Sequence, residues 1–421
     1  MRWDIFIAVM AFTLTVSAQD TLKFQKCLDD AVAFSPRLKD KQMINEEGRL
    51  TIANVQRGLY PELTMNGRAS YQSDVVTLSI DQPGFTLEFP EIPHSQFGLN
   101  LDIRQTLYDG GLTRHRKYYE QAVTEAAIKN VEIDLYAFRE QVAEIFFNIL
   151  LLQDRLTNLE IALVNLEARE NVLQSAVDHG IAETTDLQVI RVEILKMRQQ
   201  YSALNANRQG ALEMLAVYLG EKLNDNVILE IPSLESAIPE DLKRPELEWI
   251  TLQSRVLEAG KELSDVKRRP RVFAFSQAGV GMPGYNMLND QVDSYYMVGA
   301  GIQWKIWDWN NVRREKQMLQ TKQQVLNHSM ETFSMNIIAA MKSELRQEEH
   351  YRNSMEMDDK IVRMRVDITE KAASRLENGV ISAVDYLQVL NEEHLARNQR
   401  STHHLQLLKA NINYRILTGT L

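Results

Sequence analysis

Apolar residues along the first half of the chain step by three and four without a miss. They run Ile128, Val131, Leu135, Phe138, Val142, Ile145, Ile149, Leu152, Leu156, Leu159, Leu163, Leu166. That spacing averages 3.5 residues and predicts a long helix packed in a supercoil against neighbouring helices. Leu187, Ile190, Ile194, Met197, Tyr201 and Leu204 continue the pattern in a second helix. Upstream the period changes. Leu63, Met65, Gly67, Ala69 and Tyr71 alternate with Thr64, Asn66, Arg68, Ser70 and Gln72. Phe97, Leu99, Leu101 and Ile103 alternate with Gly98, Asn100, Asp102 and Arg104. A period of two predicts strands with one apolar and one polar face. Pro83-Gly84, Pro90 and Pro93 mark the loop between them.

The same order returns later in the chain. Pro36 matches Pro245 and Pro61 matches Pro270, an offset of 209. Beyond the strands the offset is 199: Asp109 matches Asp308, Gly180 matches Gly379, Asp186 matches Asp385 and Gly220 matches Gly419. A tandem duplication follows, with one ten-residue difference placed in a hairpin loop, where length is tolerated. The first repeat, 19–230, is expected to hold an opening helix from Leu22 to Gly58, a β-hairpin over 62–108, and long helices over 111–179 and 183–219. The second, 231–421, is expected to hold a helix, a hairpin over 270–307, and helices over 309–378 and 382–418. Phe273 and Phe275 break the parity that the offset predicts, so a bulge or shifted register is expected between Arg271 and Gly281.

Composition narrows the class. The 421 residues include 47 Lys and Arg against 57 Asp and Glu, a formal charge of −10 with no basic block, which argues against nucleic-acid binding. Residues 1–18 read as a signal peptide: Arg2, an apolar run from Ile5 to Val16, and the small-residue site Val16-Ser17-Ala18. The single cysteine, Cys27, leaves no internal disulfide, and no later run of apolar residues is long enough for a membrane helix. An exported chain of this kind is soluble or crosses lipid as a closed β-barrel. Four strands do not close a barrel, but several copies could; if their apolar faces look outward to lipid, Asn66, Arg68, Asp102 and Arg104 line a polar lumen. No phosphate loop, nucleophile elbow or metalloprotease motif is present; His350, His394, His403 and His404 do not converge in the sequence as a zinc site would require. The chain reads as a non-enzyme without cofactor or metal.

Leu107-Tyr108-Asp109-Gly110-Gly111 and Ile306-Trp307-Asp308-Trp309-Asn310, where strand passes into helix, resemble the junctions of the TolC-type outer-membrane efflux channels. The stretches from Gly180 to Asp186 and from Gly379 to Asp385, and the duplicated layout, resemble that family as well. The resemblance covers essentially the whole mature chain. It implies a mainly helical protomer of long coiled-coil helices and two hairpins. Three such chains would form a homotrimer with a 12-stranded membrane barrel on a 12-helix periplasmic tube, four strands and four helices from each. It implies a place in the bacterial outer membrane, as the exit duct of a tripartite pump with a periplasmic adaptor and an inner-membrane transporter. It carries the periplasmic entrance to Asp385, with Asp186 as its first-repeat counterpart. Gln388 stands where the family has a second acid, and Ile381 where it has a bracing arginine. Gly180, Ile181, Gly379 and Val380 become the tips on which an adaptor docks, and Asp109, Gly110, Gly111, Asp308 and Asn310 the barrel-to-helix junctions. The duct of a type I secretion system and a periplasmic coiled-coil scaffold are the rival readings; a scaffold has no use for lipid-facing strands.

Overall fold

The computed structural model describes residues 21–76, 79–82, 85–88, 93–233, 242–286 and 291–421. The expected signal peptide over 1–18 and the loop prolines Pro83 and Pro90 lie outside them. In chain order the elements are β1 (Thr21–Leu22), α1 (Phe24–Phe34), α2 (Pro36–Arg57), β2 (Glu62–Tyr71), β3 (Ser79–Gln82), β4 (Phe85–Glu88), β5 (Ser95–Tyr108), α3 (Leu112–Asp178), α4 (Thr184–Leu219) and β6 (Ile228–Leu229). There follow α5 (Pro245–Val266), β7 (Arg271–Met282), β8 (Asp293–Gln303), α6 (Asn311–Glu377) and α7 (Ala383–Thr418). The helical pairs α3/α6 and α4/α7 have equal lengths, 67 and 36 residues.

Three local details differ from the sequence expectation. The opening helix is two helices, because Ser35, which precedes Pro36, takes an extended ψ of 125° and Pro36 starts a new first turn. The loop of the first hairpin contains its own short antiparallel pair, β3 with β4. In the second repeat the final strand stops at Gln303, so Trp304 to Trp307 are not strand.

The chain divides into two compact units, each drawing on both repeats. One contains the described chain up to Lys39, Glu132–Arg244 and Ser334–Leu421. Its first core gathers Cys27 and Leu28 of α1, Val142, Phe146 and Ile149 of α3, Leu215 of α4 and Leu408 of α7, all buried. Phe24 meets Phe146 edge-on at 5.1 Å between ring centres. A second core joins Leu159 and Leu166 of α3, Leu187 and Ile190 of α4, Leu376 of α6, and Tyr386 and Leu390 of α7. These are the stripes with 3.5-residue spacing, closed on one another by burial worth about 1.5–3 kcal/mol per large side chain.

The other unit contains Asp40–Val131 and Pro245–Phe333. It holds a four-stranded antiparallel sheet in the order β2-β5-β7-β8. Leu63 pairs with Ile103 and Met65 with Leu101 on one face, while Asn66 pairs with Asn100 and Thr64 with Asp102 on the other. The apolar face is open: Leu63, Met65 and Ile302 are 62%, 68% and 74% exposed. The register slip lies in β5, not in the stretch from Arg271 to Gly281. Thr106 pairs with Phe273 and Tyr108 with Val272, which leaves Leu107 extra. Phe273 and Phe275 pair with Thr106 and Arg104 on the regular side of the slip and sit on the polar face. Their partners across β8 are Gly301 and Gly299, and a methyl group on either glycine would lie 2.5 or 2.6 Å from the facing ring. The glycines make room for rings on this face.

Candidate functional site

Both strand-to-helix junctions are built on an aspartate. Asp109 accepts the amide N–H of Gly111 at 2.8 Å and that of Thr113 at 2.6 Å, satisfying first-turn donors of α3. Asp308 accepts the N–H of Val312 at 3.1 Å in the same way. The two residues after each aspartate are left-handed: Gly110 and Gly111 at φ 72° and 91°, Trp309 and Asn310 at φ 54° and 59°. The exchange of Gly-Gly for Trp-Asn therefore keeps the backbone, although a bulky residue is rarely found in that region. Its ring meets Trp307 edge-on at 5.8 Å between centres. One turn ties both junctions together: Arg269 Nη1 donates to Gly110 O at 3.0 Å, and Trp304 Nε1 donates to Arg268 O at 2.9 Å.

On the polar face of the sheet, Asp102 collects three amide donors. Asn66 Nδ2 and Asn100 Nδ2 each reach Asp102 Oδ2 at 2.6 Å, and Gln277 Nε2 reaches Oδ1 at 2.7 Å. Arg104 lies with its guanidinium carbon 4.0 Å from the centre of the Phe273 ring. Arg68, paired with Gly98, is on the same face. All four residues expected to line a lumen thus share one face.

In the helical unit the two tips have the same architecture. Gly180 and Gly379 are left-handed, at φ 72° and 69°. Gly180 N–H donates to Val177 O and Ile181 N–H to Ala176 O; Gly379 N–H donates to Leu376 O and Val380 N–H to Arg375 O. This double closure satisfies the last helical carbonyls. It leaves Ile181 and Val380 at the apex, 75% and 61% exposed.

The acids after the tips differ in their attachments. Ser382 opens α7, and its hydroxyl accepts Asp385 N–H at 3.2 Å while Asp385 Oδ2 takes the Ser382 N–H at 3.1 Å and its hydroxyl proton at 2.7 Å. The Ser382 hydroxyl, then its amide, holds the exposed Asp385 carboxyl below its ordinary range. In the first repeat Glu183 stands in place of Ser382 and makes no side-chain cap. Asp186 is free to reach across, and its Oδ1 accepts the N–H of Ala383 in α7 at 3.0 Å. Arg169 of α3 forms an ion pair with Glu377 of α6 in the same region. These groups line a cleft of about 370 Å³ between the tips that also includes Asp385. Gln388 is exposed one turn along α7.

The Ser382 box was legible as Ser followed three residues later by Asp. The Asp186–Ala383 and Arg169–Glu377 links join residues 197 and 208 positions apart and have no local signal. His403 Nδ1 meets Asp358 Oδ2 at 2.6 Å, and His350 comes within 6.4 Å of His403 between ring centres. Among the described residues, no cluster of three or more His, Cys, Asp or Glu could hold a metal, and no helix is long and apolar enough to cross a membrane.

The family model described as outer membrane efflux protein matches residues 27–221. No curated protein matches the sequence significantly. Among solved structures, the fold is similar to the outer-membrane channel OprN at a TM-score of 0.70, with 15% identity over 94% of this chain and 90% of that one. It is similar to the open state of the Neisseria gonorrhoeae MtrE channel at 0.68, with 16% identity over 94% of this chain and 89% of that one. The Campylobacter jejuni CmeC channel gives 0.67, at 15% identity over 94% and 85%. The chain is thus similar in sequence to the outer membrane efflux proteins over residues 27–221 and shares the fold of these channels over 94% of its length.

Proposed function

We propose that three copies of this chain form an outer-membrane channel that releases substrates delivered by an inner-membrane transporter and a periplasmic adaptor. The sheet carries this reading. It has one exposed apolar face and one polar face, and within the described chain its edge strands β2 and β8 pair on one side only. Lipid tolerates such edges only when they are closed by further strands. Three copies supply twelve strands, four from each, with Asn66, Arg68, Asp102 and Arg104 toward the water-filled lumen. An exposed stripe on α6, Met357, Ile361, Met364 and Ile368, has 3-and-4 spacing and supports packing against a helix of another copy. The apical Ile181 and Val380 are the grip for the adaptor. Asp385, with Gln388, faces the entrance, where three symmetry copies of the acid attract cations. A soluble scaffold gains nothing from the open apolar sheet. Native mass measurement after detergent extraction from outer membranes should give a trimer; a monomer in the soluble periplasmic fraction would sink the proposal.

A further inference from the structure

The polar face of the sheet is not uniformly polar. Toward the Arg271 end of β7 it holds a cavity of about 550 Å³ lined by Arg57, Arg104, Arg271, Phe273, Tyr60 and Glu62. Three guanidinium groups meet one carboxylate there, in a chain whose formal charge is −10. Elsewhere in the chain arginines are routinely paired: Arg37 with Asp134, Arg191 with Glu170 and Arg400 with Asp359. Among the described residues, no carboxylate lies within ion-pair distance of Arg57, Arg104 or Arg271. Glu62 is the strand partner of Arg104 across β2 and β5, yet the two form no ion pair.

The aromatic part is built, not incidental. Phe273 pairs with Gly301, which leaves the ring room to lie over the strand. Arg104 stacks above that ring, its guanidinium carbon 4.0 Å from the centre. Stacking uses the flat face of a guanidinium and leaves its N–H edge for an anion, with the fork geometry that matches carboxylate or sulfonate. A ring, a stacked cation and two more unpaired cations in one concavity define a complementary ligand. It has a flat apolar ring and a negative group.

We propose that this cavity is a binding station for amphipathic organic anions, aromatic carboxylates or sulfonates, passing through the channel. The inference rests on the channel reading, which puts the polar face in the lumen. It differs from an acidic entrance that attracts cations, because it selects at the sheet end and by opposite charge.

The test uses the full-length protein in planar bilayers of phosphatidylcholine, with the probe added from the barrel side. 2-Naphthalenesulfonate should reduce the conductance at concentrations at least about tenfold lower than 2-naphthylmethylammonium, which has the same ring and opposite charge. Arg104→Gln combined with Arg271→Gln should raise the blocking concentration of the sulfonate about tenfold. Phe273→Leu should erase the advantage of naphthalenesulfonate over methanesulfonate and leave methanesulfonate unchanged. Arg57→Gln lies on the exposed last turn of α2 and tests the charge without touching a strand. Equal block by the cation, or block unchanged in both arginine variants, overturns the site while the conductance itself upholds the channel. A chain that forms no conducting pore refutes the channel reading. Fluorescence anisotropy of 1-pyrenesulfonate on the amphipol-held protein then decides the site: loss of binding in the arginine variants upholds it, and unchanged binding overturns it.

Discussion

Replacing Asp186 with alanine removes a single contact between the two helical hairpins of one chain. Asp186 Oδ1 is the acceptor for Ala383 N–H, at 3.0 Å, one of the first-turn donors of α7. Losing the side-chain acceptor of a helix N-terminus costs about 1 kcal/mol. A half-exposed carboxylate such as this one does not exceed that by much, because water replaces part of the bond. If the proposed trimer opens as a unit and opening breaks this bond in each copy, the closed arrangement loses about 3 kcal/mol relative to the open one. At 1.4 kcal/mol per factor of ten, the open population rises on the order of 100-fold. Single-channel recording in planar bilayers measures that population as open probability. Asp186→Asn is the matched control, since asparagine caps about as well as aspartate, and it should stay near the parent. The reasoning fails if Asp186→Ala trimers open no more often than the parent, or if Asp186→Asn opens them equally.

Gly110→Ala puts a methyl group 2.8 Å from Arg269 Cβ at a φ of +72°. The left-handed backbone alone costs about 1–2 kcal/mol, so the thermal midpoint in detergent should fall. Trp309→Gly at the equivalent position should be near neutral, because relieving that strain offsets the loss of the Trp307 contact, and a Gly110→Ala protein as stable as the parent contradicts this. The depressed titration of Asp385 means that its cap is present above the ordinary aspartate value of about 3.9 and is lost as the pH falls through the lower value it has in the fold. Ser382→Ala should move the Asp385 carboxyl signal in carbon NMR to titrate at higher pH, and an unmoved titration removes the hydroxyl as its cause. Burial, then the nearby Asp30 and Glu221, pushes the Cys27 thiol up to about 12. The folded protein should therefore resist maleimide at pH 8 and react fully once denatured; labelling of the native chain shows the α1 core to be open.

Much of this molecule is written in short-range pattern. The 3.5-residue stripe from Ile128 to Leu166 demands helices that pack lengthwise, and the alternation from Leu63 to Ser70 demands a two-faced strand. The turns are local as well: Gly180 and Gly379 stand where a helix must end left-handed, and Asp109 and Asp308 where one must begin. The break before Pro36 was equally local, since a proline restrains the residue before it.

Other features depend on which residues meet across the fold. The face occupied by Phe273 and Phe275 follows from pairing with Gly301 and Gly299 on one side and with Thr106 and Arg104 on the other. No periodicity within β7 contains that information. Asp186 reaches Ala383 because α4 and α7 pack against one another, and Arg169 meets Glu377 where α3 and α6 contribute to one core near the tips. The arginine cavity joins the end of α2, two neighbouring strands and the start of β7. Helix and strand preferences act over a few residues, so the chain itself dictates its elements and its two-faced strands. Register, cross-hairpin bonds and converging charges are settled by packing between distant segments, and only the tertiary structure decides them.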